Sequence, residues 1–156
     1  MLVGVKRFED LRAWQAARAF KLRVYELLDS GRLSAHPRLE TQLREAAASA
    51  PSHISEGFGR FDPADFARFV KMARAAVLEC RNHLQDAVDR GALDEATQQA
   101  LSRPSDEVLT EVGGLLDYLH SPEARRNAER VRHRRAERYR KRQRPIGDTP
   151  DQDPER

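Results

Sequence analysis

The chain has 156 residues and a formal net charge of +3, and 34% of its residues are charged while 6% are aromatic. This length predicts one domain with room for a core, and no run of about 18 apolar residues is present that would predict a transmembrane helix. The N-terminal stretch MLVGVKRFED turns acidic too early for a secretion signal. The one cysteine, Cys80, has no partner for an intramolecular disulfide. We therefore expect a cytoplasmic protein.

The charge is segregated along the chain. Residues 1–122 hold 16 Lys/Arg and 18 Asp/Glu, residues 123–144 hold 11 and 3, and residues 145–156 hold 1 and 4. We therefore predict a helical domain over residues 1–121, an arginine-rich extension over 122–144 and a disordered acidic tail over 145–156. Ser121 and Pro122 form a helix start for the extension. The extension has good helix formers but few apolar residues, so we expect a helix that leaves the domain and is frayed or disordered until a polyanion neutralises it.

The first predicted helix spans Phe8 to Ser30. Apolar residues recur along it at the spacing of one helix face, and Gly31 suits a C-terminal stop. Trp14 lies on that face, where it is typical of a core or a subunit interface rather than of a ligand-stacking site.

The second predicted helix spans Leu39 to Phe61. Its apolar and small residues trace one stripe over about six turns, and the stripe keeps its phase across Pro51. A proline inside a helix removes a backbone hydrogen bond and clashes with the carbonyl four residues back. We therefore predict a buried, central helix that is kinked near Ala47 rather than ended there.

Two further helices follow. A break is predicted from Gly59 to Asp62. Asp62 and Pro63 then form a helix start, as an N-cap and a first helical residue, for a third helix that ends near Arg90 and is closed by Gly91. A short helix over residues 94–103 is predicted to end before Pro104, and a fourth helix is predicted over 105–120 with Ser105 as its N-cap. Two adjacent glycines at positions 113 and 114 indicate a close contact or a bend in it.

Three motifs in this order carry a family resemblance: FEDLRAWQ near the N-terminus, SAPSHISEGFGR in the second helix and DFARF at the start of the third. From Phe8 to His120 the chain resembles the bacterial 23S rRNA intervening-sequence protein family, to which the accessory proteins of diversity-generating retroelements look related. The resemblance implies a small four-helix bundle that assembles as a homopentameric ring. The chain departs from the family pattern at His53, where Asn is usual, at Glu45, where a basic residue is common, and in its arginine-rich extension.

The predicted fold is accordingly all-α: an antiparallel up-down four-helix bundle with a kinked second helix and a basic C-terminal extension, helical or disordered. The aromatic residues exceed what the ends of one thin bundle need, which favours a subunit interface. The predicted interface residues are Phe8, Trp14, Phe58, Phe61, Phe66 and Phe69.

The arginine-rich extension is the strongest functional signal. Guanidinium groups pair with phosphate oxygens and stack on bases, and a tyrosine among them suits an unpaired base. We predict RNA contact through backbone and shape rather than through base reading. The predicted nucleic-acid-binding residues are Arg125, Arg126, Arg130, Arg132, Arg134, Arg135, Arg138, Tyr139, Arg140, Lys141, Arg142 and Arg144.

Catalytic patterns are weak in this sequence. His53, Ser55 and Glu56 stand close together in the text, but residues two and three apart on a helix point to different faces, and no oxyanion-forming loop accompanies them. Arg126 and His133 fit the spacing of helical RNases of the HEPN type, a match that so many arginines make nearly inevitable. We predict no catalytic residues, no metal site and no cofactor.

The predicted function is a non-catalytic, oligomeric RNA-binding protein, associated with ribosomal RNA or acting as an accessory subunit of an RNA-processing or reverse-transcriptase complex. The alternative is a protein-interaction scaffold whose basic extension docks an acidic partner protein. An RNase is the third and most distant hypothesis.

Overall fold

The structure, a computed structural model, describes residues 5–60 and 62–142. A 3-10 turn, Phe8–Asp10, precedes five helices: α1 Arg12–Asp29, α2 Pro37–Phe58, α3 Pro63–Asp89, α4 Glu95–His120 and α5 Pro122–Arg142. The described part of the chain contains no strand, which confirms the all-α prediction. None of its helices has the length and apolarity needed to cross a bilayer.

Helices α1 to α4 pack as a bundle. Each contacts the next along the chain and α1 also contacts α4, while the backbones of the diagonal pairs stay further apart among the described residues. Cross-links between α1 and α4 show their opposite directions. Arg12, at the start of α1, pairs with Glu111 near the end of α4, and Arg32, just after α1, donates a hydrogen bond to Thr97 near the start of α4. The short connections between consecutive helices suit the same antiparallel order.

The most extensive helix contact is between α2 and α3. Three buried alanines of α2, at positions 46, 47 and 50, let the backbones approach closely. At Gly57 the approach is tightest, because a Cβ there would lie 2.5 Å from Phe66 Cδ2 and 2.7 Å from Phe69 Cβ. Only glycine fits this point without a shift of α3.

The predicted helix-end signals at Asp62, Gly31 and Gly91 are confirmed. Asp62 Oδ1 accepts hydrogen bonds from the backbone N–H of Ala64 and Asp65 and so caps α3. Gly31 and Gly91 follow α1 and α3 with positive φ angles of 75° and 69°.

The predicted break at Pro104 is wrong, because α4 runs through it from Glu95 to His120. The chain does not restart at Ser105, which is fully buried and donates its hydroxyl to the Ser102 carbonyl. Leu101 and Val108 are both buried, two turns apart on the same face. The tertiary packing on both sides of the proline therefore keeps the helix continuous despite the lost hydrogen bond.

Other bounds also differ from the predictions. α1 begins at Arg12, after the 3-10 turn, and α2 begins at Pro37 rather than at Leu39. α2 ends at Phe58, immediately before the predicted break at Gly59, while Phe61 lies outside the described residues. α2 does continue through Pro51, as predicted, and the kink stays a prediction. The predicted close contact at the paired glycines is not found within the described chain, since a Cβ at Gly113 or Gly114 would meet nothing within 4 Å.

Candidate nucleic-acid interface

Helix α5 is attached to the bundle by its first two turns. Ala124, Asn127 and Ala128 are its buried residues, and they pack at the ends of α3 and α4. The Ser121 hydroxyl accepts the Ala124 N–H and caps the helix, while Asn127 Nδ2 donates to the Tyr118 hydroxyl at 3.2 Å. The predicted helix start at Ser121 is therefore confirmed, and the extension is helical and anchored at one end.

A third-turn ion pair extends this attachment. Arg132 Nη2 donates to Asp62 Oδ2 at 2.5 Å, while the other Asp62 oxygen caps α3. One carboxylate thus both starts α3 and holds α5. The hydrogen bond from the Asp65 N–H, helped by those of Ala64 and Arg132, lowers the pKa of Asp62 below its ordinary value of 3.8.

Beyond Arg132 the helix leaves the bundle surface. All residues from 132 to 142 are exposed, and the last partly buried one before them is Val131. Ten of the 21 residues of α5 are cationic and three are acidic. Helix α5 is therefore a short anchored stem followed by a solvated, positively charged helix.

Five arginines of α5 recur at every fourth residue and form one row along the helix. We name these residues the arginine row: Arg126, Arg130, Arg134, Arg138 and Arg142. The row spans 17 residues and about 24 Å of helix, and it winds about 160° around the axis because 3.6 residues make a turn. Within the part of the chain that the structure describes, none of the five has an ion pair or a hydrogen bond to its side chain.

Such a row opposes folding of the helix that carries it, because like charges four residues apart repel one another. A bound polyanion removes that repulsion and gains charge-assisted hydrogen bonds from each guanidinium. Binding of phosphates to the arginine row should therefore stabilise helix α5.

The other predicted binding residues have different surroundings. Arg132 pairs with Asp62, and Arg135 and Tyr139 each have an interaction within the chain, although the Tyr139 side chain is 65% exposed. The remaining predicted cations of the described chain are exposed, and the last predicted residue lies outside it: Arg125, Arg140 and Lys141, and then Arg144. The arginine row itself was missed in the sequence, where its strict four-residue spacing was the available signal.

Five of the six predicted interface aromatics have ring partners inside the chain, and the sixth, Phe61, lies outside the described residues. The rings of Phe8 and Trp14 meet edge to face with centroids 5.2 Å apart, and those of Phe58 and Phe66 do so at 6.2 Å. Phe66 and Phe69 are buried within the single chain. The role of these aromatics in subunit contact stays a prediction, and Phe8, Trp14 and Phe58 remain partly exposed in the single chain.

The side chains of His53, Ser55 and Glu56 do not come together as a catalytic site would. The Ser55 hydroxyl donates to the Ser52 carbonyl, Glu56 pairs with Arg60, and His53 lies beside the Phe69 ring. Burial raises the pKa of the Cys80 thiol to about 12, which keeps it protonated and unreactive. Among residues 5–60 and 62–142, no three His, Cys, Asp or Glu side chains come together as metal ligands would.

Comparison with known proteins places the bundle in a family. The family model of the 23S rRNA-intervening sequence protein matches residues 9–114, which run from the turn before α1 to near the end of α4. No curated protein matches the chain. Helix α5, and with it the arginine row, lies beyond the matched residues. The chain belongs to the 23S rRNA-intervening sequence protein family.

Proposed function

We propose that the protein is a non-catalytic, oligomeric RNA-binding protein whose helix α5 contacts the phosphate backbone. One observation carries the proposal: the five side chains of the arginine row are exposed and have no acidic partner in the described chain. Unpaired guanidinium groups on a helix offer phosphate-binding forks that need no prior breaking of an ion pair.

RNA is favoured over other polyanions by two features. The family is named for an intervening sequence of 23S rRNA, and arginine-rich helices are a common means of RNA recognition. Tyr139, exposed near the end of the row, adds a ring on which an unpaired base can stack. The row offers no fork arranged for base edges, so recognition is of backbone and shape.

Oligomerisation would multiply these contacts. The family resemblance implies a homopentamer, in which five copies of α5 would contact one RNA or several segments of it. Linked weak sites bind far more tightly than one, because each later contact is intramolecular. In the cytoplasm such an assembly suits ribosomal RNA, or a reverse-transcriptase or RNA-processing complex to which it would be an accessory subunit.

The test replaces the arginine row by glutamine in the full chain and measures RNA affinity across a salt series. Its control carries the same charge change on the bundle, at exposed cations that have no partner in the described chain: Arg18, Arg38, Lys71, Arg74 and Arg103. Circular dichroism checks that both variants fold.

We expect the arginine-row variant to lose more than about 100-fold in affinity near 0.1 M salt, and its slope of log affinity against log salt to flatten by about 3 to 5. The control should lose less than about tenfold, since it changes only the overall field. Equal losses in the two variants would contradict the proposal. If the unmodified chain binds no RNA but binds an acidic protein through α5, the scaffold hypothesis replaces it.

A further inference from the structure

The sequence that follows α5 carries the opposite charge. Residues 145–156, which we name the acidic tail, hold Asp148, Asp151, Asp153 and Glu155 against one arginine. They begin three residues after the last turn of α5, whose arginine row has no acidic partner among the described residues. An unpaired cationic face and an anionic segment are thus joined by a very short connection.

The connection is long enough for the acids to return along the helix. An extended chain advances at most about 3.5 Å per residue, so Asp148, six residues beyond Arg142, can reach about 20 Å. The helix rises 1.5 Å per residue, and the same distance takes this carboxylate back past Arg134. The later acids have still longer reach, so every arginine from 130 to 142 is accessible to the tail.

Because the acidic tail and the arginine row belong to one chain, even a weak attraction between them can produce a substantial degree of association. A segment joined by a short flexible connection has an effective concentration on the order of millimolar. Four carboxylates facing a row of guanidinium groups gain modest energy each in water, and salt screens them. We therefore expect a weak, salt-sensitive ionic association.

We propose that the acidic tail binds the arginine row of its own chain and competes there with RNA phosphates. The first half of this inference stands on charge and reach alone, and the second half rests on the proposed function. The tail resembles nucleic acid in charge but carries few charges, so it displaces short or nonspecific ligands and yields to an RNA that engages several rows at once. Its effect is therefore a gain in selectivity rather than a block of binding.

The first experiment detects the intramolecular association without any RNA. Gln152→Cys introduces one thiol for a nitroxide label, and Cys80 need not be removed because it is fully buried and stays protonated. Paramagnetic broadening of the amide signals of α5 is then compared between two chains that carry the same label. One has its natural tail acids, and in the other they are neutralised as Asp148→Asn, Asp151→Asn, Asp153→Asn and Glu155→Gln. The neutralised chain supplies the broadening that the tether alone produces.

We expect broadening over residues 130–142 to be at least about twofold stronger with the acids present, and to fall to the neutralised level near 0.5 M salt, where the Debye length shrinks below 5 Å. Equal broadening in the two chains at low salt would overturn the inference.

The second experiment tests the competition. Affinity for a short single-stranded RNA is measured for the full chain, for the tail-neutralised chain and for a control with the same charge change on exposed bundle acids: Glu45→Gln, Glu95→Gln, Glu107→Gln and Asp117→Asn. The tail-neutralised chain should bind about fivefold more tightly, and the control less than about twofold. Equal gains in both variants would overturn the competition. If no chain binds RNA, the proposed function fails, while the broadening still decides whether the tail associates with the arginine row.

Discussion

The α2–α3 junction and helix α5 show two ways in which this chain uses a helix. At the junction, Gly57 lets two helices approach so closely that one added carbon has no room. Helix α5 buries only two alanines and an asparagine in its 21 residues. Packing at the junction determines the fold, whereas α5 contributes charge and little burial. The predicted binding surface can therefore be altered without endangering the bundle that carries it.

The strongest test of this difference is Gly57→Ala. Its Cβ would lie 2.5 Å from the Phe66 ring and 2.7 Å from Phe69 Cβ, and the latter is tied to the α3 backbone. Overpacking of this kind costs about 3 kcal/mol, of which the better helix propensity of alanine returns about 1. We expect the free energy of unfolding to fall by about 2 kcal/mol and the melting temperature by about 6 °C.

Gly113→Ala is the control for that substitution, because it makes the same chemical change in a helix where the Cβ meets nothing within 4 Å. The propensity gain then stands alone, and thermal unfolding should show about 1 kcal/mol of added stability. Destabilisation at this position would mean that another molecule covers the glycine in solution, so the two glycines would no longer differ as the single chain indicates.

A pair of substitutions at Asp62 separates the two regions at the residue they share. Asp62→Ala removes both the α3 cap and the α5 ion pair, whereas Asp62→Asn retains a good capping oxygen and loses only the charge. Chemical denaturation should show a loss of about 1 kcal/mol for alanine and a few tenths for asparagine. Comparable losses in the two variants would mean that the ion pair, rather than the cap, stabilises the bundle.

The sequence predicts the bundle well because its signals are local and mutually consistent. The caps at Asp62 and Ser121 and the stops at Gly31 and Gly91 are all found where the residue types place them. Pro104 leads to a wrong prediction because the free-energy cost of a proline in a helix is visible in the local sequence, whereas the packing that offsets it involves residues of other helices. The burial of Leu101 and Val108 against other helices holds α4 together, and no window around the proline contains that information.

The candidate site is predicted less completely. Composition identifies the basic extension, and the four-residue spacing of its arginines is visible in the sequence. The ion pair between Arg132 and Asp62, however, joins residues 70 positions apart. It depends on where the bundle places the start of α3 relative to α5, so residue types alone could not separate this paired arginine from its unpaired neighbours.

The smallest expected effect belongs to that ion pair and is confined to α5. Arg132→Gln should raise the hydrogen-exchange rate of amides 133–142 about twofold, since an exposed pair contributes about 0.5 kcal/mol, and should leave the melting temperature of the bundle unchanged. Arg134→Gln removes the same charge from the arginine row, where no partner is lost, and should not raise exchange.

Low pH provides a second way to break the ion pair between Arg132 and Asp62. The backbone N–H of Asp65, then that of Ala64, and Arg132 lower the pKa of Asp62 below 3.8, so its carboxylate stabilises the folded state at all higher pH values. That stabilisation is lost as the pH falls through the lowered value and the carboxylate is protonated. The exchange difference between the unmodified chain and Arg132→Gln, compared at equal pH, should therefore persist from pH 7 to about pH 4 and vanish only once the pH has fallen through the lowered pKa of Asp62. A difference that survived full protonation of Asp62 would show that Arg132 holds α5 by packing of its side chain rather than by its charge.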